Sequence, residues 1–118
     1  MTKNKEATRY YSANQETKVA KIVDGHRTAN SGASKFDGGD VVNEDASLLV
    51  ECKTVTTNKE SVSIKKSWLE KIKEEAFEKH LYSTALAFDF GPDSKHQYFI
   101  IDEKLMAYLV EKLAEENS

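Results

Sequence analysis

An apolar run that ends in charge constrains this 118-residue chain more than any other stretch. Leu48-Leu49-Val50 leads without a break into Glu51-Cys52-Lys53, and Asp40 stands eleven residues before the glutamate, in Gly39-Asp40-Val41-Val42. Consecutive apolar residues mark a strand covered on both faces. Carboxylates and an ammonium that continue such a strand are costly to bury unless they hold a metal or one another. The placement therefore points to a metal-dependent active site. The bland alternatives are a buried Glu–Lys pair, or a strand end that emerges into water.

Strand register sharpens this reading. Strands are expected at about 40–43 and 48–55, joined by the polar turn Glu44-Asp45-Ala46-Ser47. A hairpin closed by those four residues sets Asn43 against Leu48, Val42 against Leu49, Val41 against Val50 and Asp40 against Glu51. Opposed residues of an antiparallel pair have Cβ atoms about 4.5–5.5 Å apart. Residues two apart share a strand face, so Glu51 and Lys53 point the same way. A slip of one residue would disperse the cluster.

The remaining elements can be placed around this hairpin. Residues 1–11 read as a flexible basic arm, with Lys3, Lys5 and Arg9 beside Tyr10 and Tyr11, before a single domain over 12–118. Such an arm either touches nucleic acid or is a frayed terminus. Ser12 is expected to cap a helix that runs to about Val23 and ends at Asp24-Gly25. Arg27-Thr28-Ala29 is a short strand candidate, 30–34 a loop of small residues, and Ser61–Ile64 alternates like an edge strand. A second helix is expected from about Ser67 to His80, with Trp68, Leu69, Ile72, Ala76 and Phe77 on its apolar face. Thr84–Phe88 reads as a central strand and Tyr98–Ile101 as another. Asp102 then caps a last helix whose Leu105, Met106, Leu109, Val110 and Leu113 face inward. The expected fold is α/β, a central mixed sheet flanked by helices in the order α-β-β-β-α-β-β-α.

Charge is distributed to match. The formal net charge is −3, yet residues 36–52 carry five acidic side chains and no basic one, between segments 1–35 and 53–73 that are each +4. That pattern suits a metal pocket bordered by phosphate contacts, or ordinary charge mixing on a wet surface. No apolar run approaches the roughly 18 residues of a membrane span, and the N-terminus lacks the apolar core of a signal peptide. A single cysteine, Cys52, fits a reducing compartment, so a cytoplasmic protein is expected.

The chemistry that fits is phosphodiester hydrolysis. Hard oxygen ligands from Asp40 and Glu51 suit Mg2+, with Mn2+ as a substitute, and the backbone carbonyl of Cys52 can complete the protein side of the shell. Lys53 can orient a metal-bound water and stabilise charge that develops on the phosphate. A second metal would need a further carboxylate such as Glu16. His26, His80 and His96 show no metal-ligand spacing, and no histidine is placed to activate Cys52 as a nucleophile. Trp68 and Phe77 read as core residues.

These residues carry a resemblance. Asp40…Glu51-Cys52-Lys53, with Gln15-Glu16 on the first helix, Ser31-Gly32 in the loop, and Ser63–Leu69 entering the second helix, resembles the PD-(D/E)XK nuclease superfamily. Within it the chain is similar to archaeal-type Holliday-junction resolvases and their small phage-encoded relatives, over about residues 12–114. It departs from the superfamily pattern in having Gly39 where a proline often precedes the aspartate. The resemblance implies a restriction-endonuclease-like fold, with Asp40 and Glu51 as metal ligands, Lys53 as the catalytic lysine and Glu16 as the acid of the first helix. It also implies DNA contacts from Ser31, Lys65 and Lys66, to which the basic arm would add Arg9. A homodimer acting on branched DNA follows from it. The rival expectations are a non-catalytic DNA-binding or structural module of the same fold, and a nuclease of that fold acting on ends, nicks or single strands.

Overall fold

The computed structural model describes residues 5–28 and 40–118, with side chains from Thr8 onward in the first segment. Eight elements follow one another: α1 (Lys5–Ile22), β1 (His26–Arg27), β2 (Asp40–Asn43), β3 (Leu48–Cys52), α2 (Lys66–Glu78), β4 (Ser83–Phe88), β5 (Tyr98–Ile100) and α3 (Glu103–Glu116). The five strands form one mixed sheet in the spatial order β1-β2-β3-β4-β5. Only the β3–β4 pair is parallel, which requires a crossover, and α2 supplies it. The architecture is α/β, a mixed sheet with helices on its faces. Among the described residues no helix is long and apolar enough to cross a membrane.

Strand alternation divides the core. Val41, Val50, Cys52, Ala85 and Ala87 face α1 and pack with Val19. Val42, Leu49 and Leu86 face α2 and pack with Ile72 and Ala76. β3 and β4 are central strands with both faces covered, hence the unbroken Leu48-Leu49-Val50 and Ala85-Leu86-Ala87.

The hairpin has the expected register, Asp40 against Glu51, Val41 against Val50, Val42 against Leu49 and Asn43 against Leu48. Its turn is held by Asn43, whose side-chain oxygen accepts from the Ala46 amide at 2.9 Å, while Ser47 takes a left-handed conformation at φ 54°. The same Asn43 side chain donates to the carbonyls of Val23 and Asp24 at 2.8 and 3.1 Å, tying the hairpin to the end of α1. That end is a Schellman turn, with Gly25 N–H bonded to Ala20 O and Asp24 at φ 54°. Gly25 is required there, because a Cβ would lie 2.5 Å from the Val42 carbonyl oxygen. α2 ends the same way, with Leu81 N–H on Ala76 O and His80 at φ 59°.

Several expectations are corrected. α1 is continuous from Lys5, so Ser12 lies inside the helix and bonds Thr54 at 2.9 Å instead of capping it, and residues 5–11 form its first turns. Ser61–Ile64 is not a strand, and β3 ends at Cys52. Phe77 is 82% exposed, because the core-facing arc of α2 is already filled by Trp68, Leu69, Ile72 and Ala76. α3 begins as expected, with the Asp102 side chain accepting from Leu105 N–H at 2.9 Å. That bond, helped by Lys73 at 3.0 Å, holds the Asp102 carboxyl below its ordinary range. Yet no residue of α3 is buried. Its apolar stripe does not turn inward, since both sheet faces are already covered at the core.

Leu86 is the test of this arrangement, being fully buried on the central strand β4. Leu86→Ala is expected to cost about 2–5 kcal/mol. In urea unfolding this appears as a lower midpoint with an unchanged slope.

Candidate metal centre

The hairpin register builds one half of the site. Asp40 lies on the same strand face as Val42, and Glu51 on the same face as Leu49, so both carboxylates point to the α2 side. Lys53, the residue after β3 ends, continues that face, and its backbone N–H still pairs with Ala87 O at 2.8 Å. Its ammonium stands 3.8 Å from the Glu51 carboxylate and 4.3 Å from the centre of the Trp68 ring, a cation–π contact. Asp40, Glu51 and Lys53 are all buried.

The other half comes from α2. Glu75 brings a third carboxylate, and one oxygen from each of Asp40, Glu51 and Glu75 lies within 4.8 Å of the others. Sequence reasoning missed this residue. The signal was nonetheless present: Glu75 follows Ile72 by three positions and Trp68 by seven, which puts it on the buried stripe of the helix. A carboxylate on an apolar stripe calls for a partner.

Three carboxylates against one ammonium leave a formal −2 in a largely dry site. A divalent cation removes that excess, and three hard oxygen donors suit Mg2+ or Mn2+. The donor set therefore fits such an ion. The Cys52 carbonyl follows directly on Glu51 at the end of β3.

Glu16 is placed differently. It is 1% exposed, on the α1 side of the sheet, and its carboxylate accepts from Arg27 Nε at 2.8 Å. Arg27 is opposite Val41 on the edge strand β1, next to Asp40, and Thr28 N–H bonds the Asp40 carbonyl at 3.2 Å. Glu16 thus lies on the opposite sheet face from the cluster, and Arg27 offsets its charge. Arg27 is a second residue that the linear pattern did not single out.

Cys52 points to the α1 side and is fully buried. Burial pushes its thiol far above the ordinary range, and the negative charges of Glu16, Glu51 and Asp40 add to the shift. The thiol stays protonated, in keeping with a packing role. Lys65 and Lys66 are exposed at the start of α2, with Lys65 5.8 Å from the Trp68 ring centre and Lys66 4.0 Å from Glu70. Arg9 is exposed on α1. Ser31 lies outside the described residues. His26 pairs with Glu44 on the surface at 2.8 Å, away from the cluster.

A cleft of about 170 Å3 lies on the α1 face, where Tyr10, Tyr11, Lys18, Thr54 and Asp89 line it. No protein-family model matches the chain, and no curated protein or solved structure matches it either.

Linkage tests the site without reference to activity. Glu75→Gln removes one of the three converging carboxylates. With Mg2+ at a hundred times its dissociation constant, the wild type should gain about 2.7 kcal/mol. The variant should gain far less. Thermal melts with and without the ion read both effects.

Proposed function

We propose that the chain is a Mg2+-dependent deoxyribonuclease with a restriction-endonuclease-like fold, hydrolysing phosphodiester bonds in branched DNA. The observation that carries the nuclease reading is the convergence of Asp40, Glu51 and Glu75 within 4.8 Å of one another, with the Lys53 ammonium 3.8 Å from Glu51. Asp40…Glu51-Cys52-Lys53 is the superfamily pattern, and the pairing of Asp40 with Glu51 makes it a spatial one. The choice of branched DNA rests on the resemblance to resolvases.

Asp40 and Glu51 hold the cation, and Glu75 completes the carboxylate set. A divalent cation held by these carboxylates would supply Lewis-acid activation of a phosphate oxygen and of the attacking water. Lys53 aims its N–H donors at the same place. Held between Glu51 and the Trp68 ring, the ammonium orients the attacking water and stabilises charge that builds on the phosphoryl oxygens. The lysine is already held beside Glu51 and the Trp68 ring. Glu16 is a positioning residue, holding Arg27 on the strand edge beside Asp40. Lys65 and Lys66 at the exposed end of α2, and Arg9 on α1, supply phosphate contacts with no base preference of their own.

A cleavage panel decides the matter: a four-way junction, linear duplex and single-stranded DNA, each with Mg2+, with Mn2+ and with EDTA. Metal-dependent cutting of the junction in preference to duplex is expected. Asp40→Asn and Lys53→Ala should each lower the cleavage rate by about 10²–10³ or more while leaving junction binding within a few-fold. Cutting without junction preference would remove the resolvase reading and keep the nuclease one. If the wild type cuts none of these with either metal, the chain is a non-catalytic module.

A further inference from the structure

The cleft on the α1 face is built from a stripe that the metal centre does not use. Tyr11, Asn14, Gln15 and Lys18 recur at the i, i+3, i+4, i+7 spacing of one helix face, and all four line the cleft. The stripe is polar and aromatic, so core packing does not account for it. Tyr10 joins it at the mouth, 63% exposed and edge-to-face with Tyr11 at 5.5 Å between ring centres. The opposite wall is Thr54, which follows Lys53, and Asp89, which follows the last residue of β4. β3 and β4 are parallel, and ligands of such sheets gather outside the carboxyl ends of the strands. The cleft and the carboxylate cluster thus share one end of the sheet, on its two faces.

Hydrogen bonds fix the polar side of the cleft. Gln15 is buried, and its amide nitrogen donates to the Ala87 carbonyl at 3.3 Å and to the Gln97 side-chain oxygen at 3.1 Å. Gln97 in turn donates to one carboxylate oxygen of Asp89 at 2.7 Å, and the Gly91 amide donates to the other at 3.0 Å. The loop that carries Gly91 is pinned from below, where Asn58 and Asp93 exchange two bonds of 2.8 and 2.9 Å. Asp89 is therefore held in place, and each of its oxygens keeps a second lone pair for a ligand.

We propose that the cleft takes one unpaired cytosine of a DNA strand, its ring on the two tyrosines, its amino group on Asp89 and its phosphate on Lys18. Size selects a single ring, since a cavity of about 150 Å3 holds a benzene and this cleft offers about 170 Å3. Aromatic side chains at the mouth of a groove stack unpaired bases. A carboxylate only accepts, and of the two pyrimidines cytosine presents an amine, at N4, where thymine presents an oxygen. Lys18, exposed at the rim, supplies the positive charge that a backbone phosphate needs. A base enters such a cleft only outside the duplex stack, which costs least where pairing is already broken. The choice of DNA as the source of the base rests on the nuclease reading above, whereas the preference for cytosine rests on the cleft alone.

Fluorescence anisotropy of the full chain with labelled tetranucleotides tests this in EDTA, apart from any cutting. Oligo-dC is expected to bind about ten-fold tighter than oligo-dT. Asp89→Asn should bring the two within about two-fold of each other. Tyr10→Ala should weaken both by about ten-fold, and Lys18→Gln should weaken both alike and flatten the salt dependence. Tyr10 and Lys18 are exposed, so these two variants keep the fold, which thermal melts check. Tyr108→Ala, at an exposed tyrosine on α3, should change nothing. Free dCMP should compete more weakly than oligo-dC, because a strand adds further phosphate contacts. Equal affinity for the two pyrimidines overturns the proposal, as does Tyr10→Ala that binds like the wild type or dCMP held as tightly as oligo-dC. Cutting in the cleavage panel without cytosine preference here removes this inference and keeps the nuclease. Cytosine-selective binding by a chain that cuts nothing does the reverse.

Discussion

The register of the β2–β3 hairpin is the constraint on which the rest depends. Setting Asp40 against Glu51 aims both carboxylates at α2 and leaves Cys52 and Val41 for α1. A shift by one residue would exchange the faces and bury Cys52 and Val50 among the charges. Asn43 is the pin. One amide group accepts from Ala46 in the turn and donates to Val23 and Asp24 at the end of α1. The Ser47 side chain, at the other end of the turn, accepts from Tyr82 N–H at 2.8 Å and fixes the hairpin to the entry of β4. Two polar residues in a surface turn thereby hold the alignment of buried carboxylates three and four residues away.

Burial and charge oppose each other at the cluster. Asp40, Glu51 and Lys53 sit at the end of strands whose other residues build the core, so the same β-sheet that stabilises the fold also dries the site. Buried charge is matched where the sheet dries it: Lys53 stands beside Glu51, and Arg27 beside Glu16. Trp68 serves both sides of this opposition. It packs against the α2 core and presents its ring face to the Lys53 ammonium.

Much of the site was legible in the residues before any coordinates. The four-residue turn and the apolar character of 48–50 sufficed for the hairpin register, and with it the placement of Asp40, Glu51 and Lys53. Glu75 was not found, because its role depends on how α2 is rotated over the sheet. Its position on the stripe of Trp68 and Ile72 was the available clue. Glu16 is expected as the acid of the first helix, and in the fold its carboxylate accepts from Arg27 on the α1 side. Periodicity alone places Phe77 and the stripe of α3 in the core, because it reports that a helix is amphipathic but not what covers it.

The amino-acid sequence by itself determined the order of elements, the hairpin and its facing carboxylates. Each of these rests on local rules: turn chemistry, the two-residue period of strands and the cap at Asp102. Only the tertiary structure decided that Glu75 joins Asp40 and Glu51, that Glu16 is matched by Arg27, and that α3 finds no place in the core. Those outcomes follow from the crossover through α2 and from how much sheet surface two helices cover. They are long-range quantities, set by packing between segments distant in sequence, and no local pattern encodes them.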